Sequence, residues 1–394
     1  MTTPLQGVKV LDLSRILAGP WAGQMLADLG ADVIKVERPG VGDDTRSWGP
    51  PYMPTTADVE NGEDREAAYF QTANRGKRSL CVDMSSAEGQ DIIKQLAAKA
   101  DVLIENFKVG GLAKYGLDYT NLSALNPRLI YCSITGFGQT GPYRDRAGYD
   151  FMIQAMGGLM SVTGDADGEP MKVGVALADV MTGLYASNAI QGALFHQLRT
   201  GQGQHIDLAL LDVQVATLAN QAMNYLATGN NPERLGNSHP NIVPYQAFAT
   251  ADGHLILAVG NDAQFKRFCQ VAGKLDLAHH ADYATNSLRV ANRATLVPQI
   301  MELLQQQNTD WWLAQLNEVG VPCGPICTID QVFDNPQIQA RDMQLQLDHA
   351  TLGKVASVAN PIKYSATPIQ YTQAPPTLGQ HTREVLHDWL GHCD

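Results

Sequence analysis

The sequence predicts an α/β protein: a large domain on an open parallel sheet, followed by a smaller domain. Three observations carry this. Residues 8–135 alternate β-rich runs with helical ones, the mark of βαβ units. The runs DVIKVE (32–37), DVLIEN (101–106) and RLIYCSIT (128–135) are largely apolar and β-branched rather than strictly alternating, as strands buried on both faces are. Residues 229–240 are rich in Gly, Asn and Pro, and the alternation changes character beyond them.

In chain order, residues 8–14 (VKVLDLS) predict the first strand, 15–20 a loop and 21–29 a helix closed by Gly30. Residues 32–37 complete a crossover unit of about 30 residues. Residues 78–84 predict a strand, and Ser85 with Glu88 forms a capping box opening a helix to Ala100. Strands follow at 101–106 and 128–135. Residues 177–198 predict one long helix with small residues on several faces (Gly183, Ala186, Ser187, Ala189, Gly192, Ala193), which implies close neighbours. Arg199 and Gly201 end it. A strand at 204–208 and a helix at 209–227 complete a large domain over 1–228. The small domain, 229–335, has a strand at 254–259 and then mostly helices. Residues 336–394 predict an extended return linker closed by an amphipathic helix, 382–390, packing with the large domain.

The 394 residues carry 28 Lys and Arg against 40 Asp and Glu, a net charge of −12. That field argues against nucleic-acid or anionic-membrane partners, so an anionic ligand needs a local basic cluster. No apolar run approaches the length of a membrane helix, and the start lacks the basic and apolar blocks of an export signal. The six cysteines are scattered, and Cys323 and Cys327 have no second pair or histidine to complete a zinc site. The expectation is a cytoplasmic protein with reduced thiols, no metal and no permanently bound cofactor.

Ligands of open α/β sheets bind beyond the carboxyl ends of the strands, here residues 15–20, 37–42, 106–108 and 135–142. No G-x-G-x-x-G fingerprint or Walker sequence occurs. Arg38, the run NRGKR (74–78) and Lys114 supply positive charge nearby, although NRGKR also suits a solvated turn. The glycine-rich stretch 135–150 is either an ordinary loop or a functional one. Asp179 follows an apolar run and stands in the first turn of the long helix. A carboxylate there is either a helix cap or, among small and apolar neighbours, a covalent nucleophile toward an activated acyl group. The histidines His279, His280, His381, His387 and His392 suit the surface.

Several ordered motifs resemble the family III CoA-transferases: VKVLDLSRILAGPWAGQMLADLGADVIKVERPGVGD, NRGKRSLCVDM, ADVLIENF, IYCSITGFGQTGP, RAGYDFMIQAMGGLMSVTG, VGVALADVMTGLYA and GVPCGPICTIDQVF. The resemblance spans essentially the whole chain and is nearest the succinyl-CoA:glutarate (or hydroxymethylglutarate) branch. It implies a Rossmann-like large domain, a smaller α+β domain and an interlocked homodimer. It implies Asp179 as nucleophile, and CoA or acyl-CoA as substrate held at Leu17, Ala18, Arg38, Val82, Asp83, Met84, Ser85, Asn106, Phe107 and Lys114, with Tyr149 and Asp150 lining the site. Backbone N–H groups near 136–141 or at Gly260 are candidates to hold oxyanions. Arg46 is a candidate to read a distal carboxylate, the other reading being a surface salt bridge. The shielding glycine loop of formyl-CoA transferases is reduced here to the single Gly260, which speaks against formyl or oxalyl substrates. The α-methylacyl-CoA racemases are similar too, but carry a histidine where Tyr149 stands; without it a two-base proton exchange loses a partner. A non-catalytic CoA-thioester binder is the remaining alternative.

Overall fold

The computed structural model describes residues 2–53 and 66–392; Cys393 lies outside them. The chain forms two compact units, residues 1–159, 172–222 and 336–394 in one and 160–171 with 223–335 in the other.

The first unit is built on β1 (Lys9–Asp12), α1 (Ala18–Asp28), β2 (Asp32–Glu37), the short α2 (Ala68–Gln71), β3 (Lys77–Cys81), α3 (Ala87–Ala97), β4 (Val102–Glu105), α4 (Tyr119–Leu125), β5 (Ile130–Thr135), α5 (Asp150–Met156), α6 (Leu177–Thr200) and β6 (His205–Ala209). The six strands pair in parallel in the order β3-β2-β1-β4-β5-β6. The strand order reverses between β1 and β4, so the crevice beyond their carboxyl ends is the topological switch point where such sheets bind ligands. Alternate residues serve opposite layers. Val10, Val33, Val102 and Ile104 pack with α1 and α6 on one face; Leu11, Ile34 and Leu103 pack with α3, α4 and the C-terminal Val385 and Trp389 on the other. Gly183 lets α6 lie against α1: a Cβ there would come within 2.8 Å of the Ala18 carbonyl.

Beyond β6 come α7 (Leu210–Ala216) and α8 (Ala219–Thr228). The single helix expected at 209–227 is broken because Ala219 takes a left-handed conformation, φ +49°. The second unit has the antiparallel sheet β7 (Tyr245–Ala249), β8 (His254–Ala258) and β9 (Cys323–Pro325). Its helices are α9 (Asp262–Val271), α10 (Leu275–His279), α11 (Asn286–Ala291), α12 (Arg293–Leu304), α13 (Thr309–Glu318) and α14 (Ile329–Asp334). They enclose their own core around Phe265, Phe268, Leu296 and Trp312.

Other sequence expectations are corrected as well. The helix over 87–97 is capped by Ser86, whose hydroxyl accepts from Gly89 N–H; Ser85 instead donates to Asp83, so the Ser85–Glu88 box does not form. The segment after 335 is extended only over 359–377. After α15 (Pro336–Ala340) it folds into the hairpin β10 (Gln344–His349) and β11 (Gly353–Val358), closed on Leu347, Leu352, Val355 and Ala374. α16 (Thr382–Val385) then ends the chain's regular structure with a π-type turn, Leu386–Leu390. His381 is half-buried rather than a surface residue, its Nδ1 accepting from the Ser79 N–H.

The largest correction concerns NRGKR, which is internal. Arg75 pairs with Asp28 (2.6 Å), Lys77 with Asp12 (2.9 Å), and Arg78 with Asp32, Glu384 and Asp388. Lys77 and Lys35 are both fully buried. Lys35 reaches Asp43 at 2.7 Å and also donates to the Ser14 carbonyl. These charges stay inside because each is paired and hydrogen-bonded. They form an ionic platform beneath the loop that follows β1.

Candidate active site

The loops after β1 and β4 are tied across the switch point. Arg15 N–H donates to Asn106 Oδ1 (2.9 Å), and Asn106 Nδ2 returns a bond to the Arg15 carbonyl (2.7 Å). Ile16 holds a left-handed backbone, φ +73°, with its N–H donating to the Asp43 carboxylate. A β-branched residue in that conformation is strained, and such strain persists only where the surroundings enforce it. The turn delivers Leu17 and Ala18 to the start of α1, whose first-turn N–H groups receive no side-chain cap. That leaves donors and a positive helix end facing the cleft.

The cleft beyond these ends has a volume of about 520 Å³. Leu17, Ala18, Asn106, Phe107, Lys114, Tyr149 and Asp179 all line it. Arg38 and Met84 line an adjoining cavity of about 200 Å³, and Arg15 and Phe107 border both. Val82 is buried in the core rather than lining either space. Asp83 holds the turn by accepting from Ser85, and both that bond and the Arg38 charge keep its carboxyl below the usual range. Arg15, Lys108, Arg144 and Arg146 also line the main cleft, cations that sequence reasoning passed over. With Lys114 they supply the local basic cluster that the overall charge of −12 requires. Their signal was position, since each follows a strand's carboxyl end.

Gly136 and Gly148 close the loop between β5 and α5. A Cβ on Gly136 would meet the Gly148 α-carbon at 2.5 Å, so the two backbones touch where no side chain fits. The contact sets Tyr149 and Asp150 at the start of α5. Asp150 Oδ1 then accepts from the N–H groups of Ala178 (2.8 Å) and Asp179 (3.2 Å), while Oδ2 takes Gln154 Nε2 (2.7 Å). Asp150 therefore caps α6, whose own N-cap residue, Ala176, has no side-chain acceptor. The capping role once open to Asp179 is filled by another residue.

The Asp179 carboxylate receives no hydrogen bond from the described residues and lines the cleft. Burial first, and the Asp150 charge second, push its carboxyl up to about 7. The helix-dipole argument expects the opposite direction. The dipole contributes about 0.3–1 kcal/mol, which desolvation and a neighbouring anion exceed. Burial first, and then the Asp179, Asp150 and Asp43 charges, raise the Tyr69 phenol above its ordinary range. Nothing in the local sequence around Tyr69 pointed to this.

The raised value has a measurable consequence. Below about pH 4 folded and unfolded states both hold the proton; between 4 and 7 the folded state alone keeps it, so stability falls as pH rises through that window. Asp179→Asn is expected to melt later than the parent at pH 8, by about 2 kcal/mol allowing for partial exposure, with the two curves converging toward pH 4. Equal melting at pH 8 would contradict the burial argument.

Two candidates do not serve as expected. Arg46 is committed within the fold: Nε and Nη2 grip Glu37 (2.8 Å each), Nη1 reaches Glu66, Nη2 also donates to the Pro376 carbonyl, and the guanidinium lies 3.6 Å over the Phe70 ring. It is a buried structural ion pair, neither a surface bridge nor a carboxylate reader. Gly260, in the second unit, already donates its N–H to Gln264 Oε1 at 2.7 Å, so this structure does not offer it as an oxyanion donor.

The chain matches CoA-transferase family III over residues 5–382. It is 53% identical to the succinate–glutarate CoA-transferase of Agrobacterium fabrum, covering 97% of this chain and 95% of that protein. It is 44% identical to the human succinyl-CoA:glutarate CoA-transferase, covering 99% of this chain and 87% of the human one. A CAIB/BAIF family protein from Brucella suis has a crystal structure that superposes with a TM-score of 0.85 at 53% identity, covering 99% of this chain and 100% of that one.

Proposed function

The chain belongs to CoA-transferase family III, and from that membership we propose that it moves CoA from succinyl-CoA to a dicarboxylate such as glutarate, with Asp179 as the covalent carrier. The observation that carries this reading is Asp179 itself: a carboxylate unpaired among the described residues, in the cleft at the switch point, with the helix cap supplied by Asp150. The two relatives named for succinate and glutarate, at 53% and 44% identity, support the substrate class.

In this reading a carboxylate oxygen of Asp179 attacks the thioester carbonyl, the C–S bond breaks, and an aspartyl–acyl anhydride and CoA thiolate form. The thiolate attacks the Asp179 carbonyl, releasing the donor acid and leaving an aspartyl–CoA thioester. The acceptor carboxylate attacks that carbonyl and expels the thiolate, which takes the acyl group from the new anhydride and frees Asp179. Each covalent state replaces a poorly solvated charge with a neutral acyl linkage, so the burial that raises the Asp179 pKa also favours acylation. CoA lies along Leu17, Ala18, Asn106, Phe107, Lys114 and Tyr149, with Arg38 and Met84 at the adjoining cavity and the basic residues meeting its phosphates. The reaction needs no permanently bound cofactor, and we place it in the cytoplasm. An acceptor panel with succinyl-CoA is expected to favour four- to six-carbon dicarboxylates. Formate, oxalate or carnitine exceeding glutarate by more than about tenfold in kcat/KM, roughly 1.4 kcal/mol, would overturn the substrate reading.

The protein is further proposed to work as an interlocked homodimer. On α6, Leu184, Phe195 and Leu198 are 39%, 62% and 78% exposed. They share one face with Gly192, where a Cβ would meet nothing within 4 Å. An apolar helix face of this size is costly in water, and a second copy of the chain would cover it. Light scattering is expected to give twice the chain mass at micromolar concentration; a fully active monomer would contradict the assembly.

A further inference from the structure

A polar cluster outside the proposed chemistry lies on the other side of the cleft wall. A cavity of about 210 Å³ is lined by Glu105 from β4, Ser133 from β5 and His205 from β6. Lys108, Val109 and Gly111 line both this cavity and the main cleft, so the segment after Phe107 is a shared wall. Glu105 is buried, and its Oε2 accepts from the Phe107 N–H at 2.8 Å, fixing where that wall begins. The Ser133 hydroxyl lies 2.9 Å from His205 Nε2 and close enough to Glu105 to lower its carboxyl. His205 is exposed on β6, the sheet's edge strand, with its ring stacked on Tyr119. Polar side chains thus run from solvent, through His205 and Ser133, to the carboxylate that anchors the wall.

We propose that Glu105 is a positioning residue whose ionised form holds the Phe107–Gly111 wall in its ligand-binding place, with Ser133 and His205 carrying the proton that switches it. An ionised carboxylate accepts from Phe107 and Ser133 in charge-assisted bonds; a protonated one donates to Ser133 and holds Phe107 more weakly. The proton balance closes. A proton leaving Glu105 passes to Ser133 Oγ as the Ser133 proton passes to His205 Nε2, giving an imidazolium that releases it to solvent.

The surroundings place this switch near neutrality. Burial pushes Glu105 up to about 7, against the lowering effect of its Ser133 and Phe107 bonds. The titratable and charged groups around it are Tyr131 and Cys132 on β5, His205 on β6, Asp118 and Tyr119 at α4, and Lys108 in the wall. Tyr131 donates to the Leu117 carbonyl and is pushed above its usual range by burial, Glu105 and Asp118, so it stays protonated. Burial lowers His205, while the Asp207 charge opposes that.

The inference rests on the CoA reading of the cleft, and its test separates the two. CoA binding is measured by calorimetry from pH 6 to 8.5 in the Asp179→Asn background, which removes that residue's own titration. Affinity is expected to fall about tenfold from pH 8 to 6 as Glu105 takes up its proton. Adding Glu105→Gln should flatten that slope and leave the weaker, low-pH affinity throughout. Adding Ser133→Ala should move the midpoint upward, because Glu105 loses a donor but keeps its hold on Phe107; this arm still decides the matter if Glu105→Gln fails to fold. A slope that survives Glu105→Gln, or a midpoint unmoved by Ser133→Ala, overturns the latch alone. Absence of CoA binding at every pH overturns the CoA reading and the latch with it.

Discussion

Asp179→Ala and Asp179→Asn are expected to lower CoA transfer by about 10⁴-fold or more, the scale on which loss of a covalent nucleophile acts, while CoA binding stays within about threefold. The asymmetry follows from the geometry. The cations and loop residues proposed to hold CoA come from beyond the ends of β1 to β5 and are not built on the Asp179 side chain. Asp150 keeps α6 capped in either variant through the backbone N–H groups of positions 178 and 179. A residue that only capped the helix would show the reverse: about 0.5–2 kcal/mol of stability lost and activity largely kept. Steady-state kinetics beside CoA calorimetry distinguishes the two, and a variant retaining a few per cent of activity would contradict the nucleophile.

The second large effect is on stability. Lys77→Met leaves Asp12 fully buried without its nearest cation; breaking a buried pair on one side costs about 3–5 kcal/mol. Lys77 also donates to the Pro20 carbonyl and Asn74 Oδ1, so its loss exposes three buried acceptors together. The double variant Asp12→Leu with Lys77→Met should recover much of the loss, since two apolar groups no longer leave a charge stranded. Urea unfolding measures both. A loss below about 1 kcal/mol in Lys77→Met would mean that the platform does not hold the fold together.

The strands were legible because a parallel sheet buried on both faces writes itself as short apolar runs, and runs at 32–37 and 128–135 need no partner to be recognised. The long helix, expected at 177–198 and found at Leu177–Thr200, was legible from its small residues and its glycine stop. The ionic platform was not, because the partners of NRGKR lie at Asp12, Asp28, Asp32, Glu384 and Asp388, and a charged run looks solvated until its distant partners are known. The hairpin after 343 hid behind polar, edge-like strands whose core is one small cluster of four buried side chains. At the site, Asp179 stood out by its apolar neighbours. Its relation to Asp150, 29 positions earlier, depends on how α5 meets α6, which no local pattern encodes. The same holds for Glu105, Ser133 and His205, which come from three strands that are neighbours only in the sheet.

The central claim is that Asp179 is acylated in turnover, and trapping tests it most directly. The enzyme is incubated with succinyl-CoA and no acceptor, then quenched with hydroxylamine or borohydride and digested. Attack on an aspartyl thioester or anhydride by hydroxylamine gives a hydroxamate, and borohydride reduces the same carbonyl to an alcohol. Peptide mass spectra are expected to place the change on Asp179 alone and to show none in Asp179→Asn. Label on another residue, or an unmodified Asp179 in enzyme that is turning over, would contradict the account.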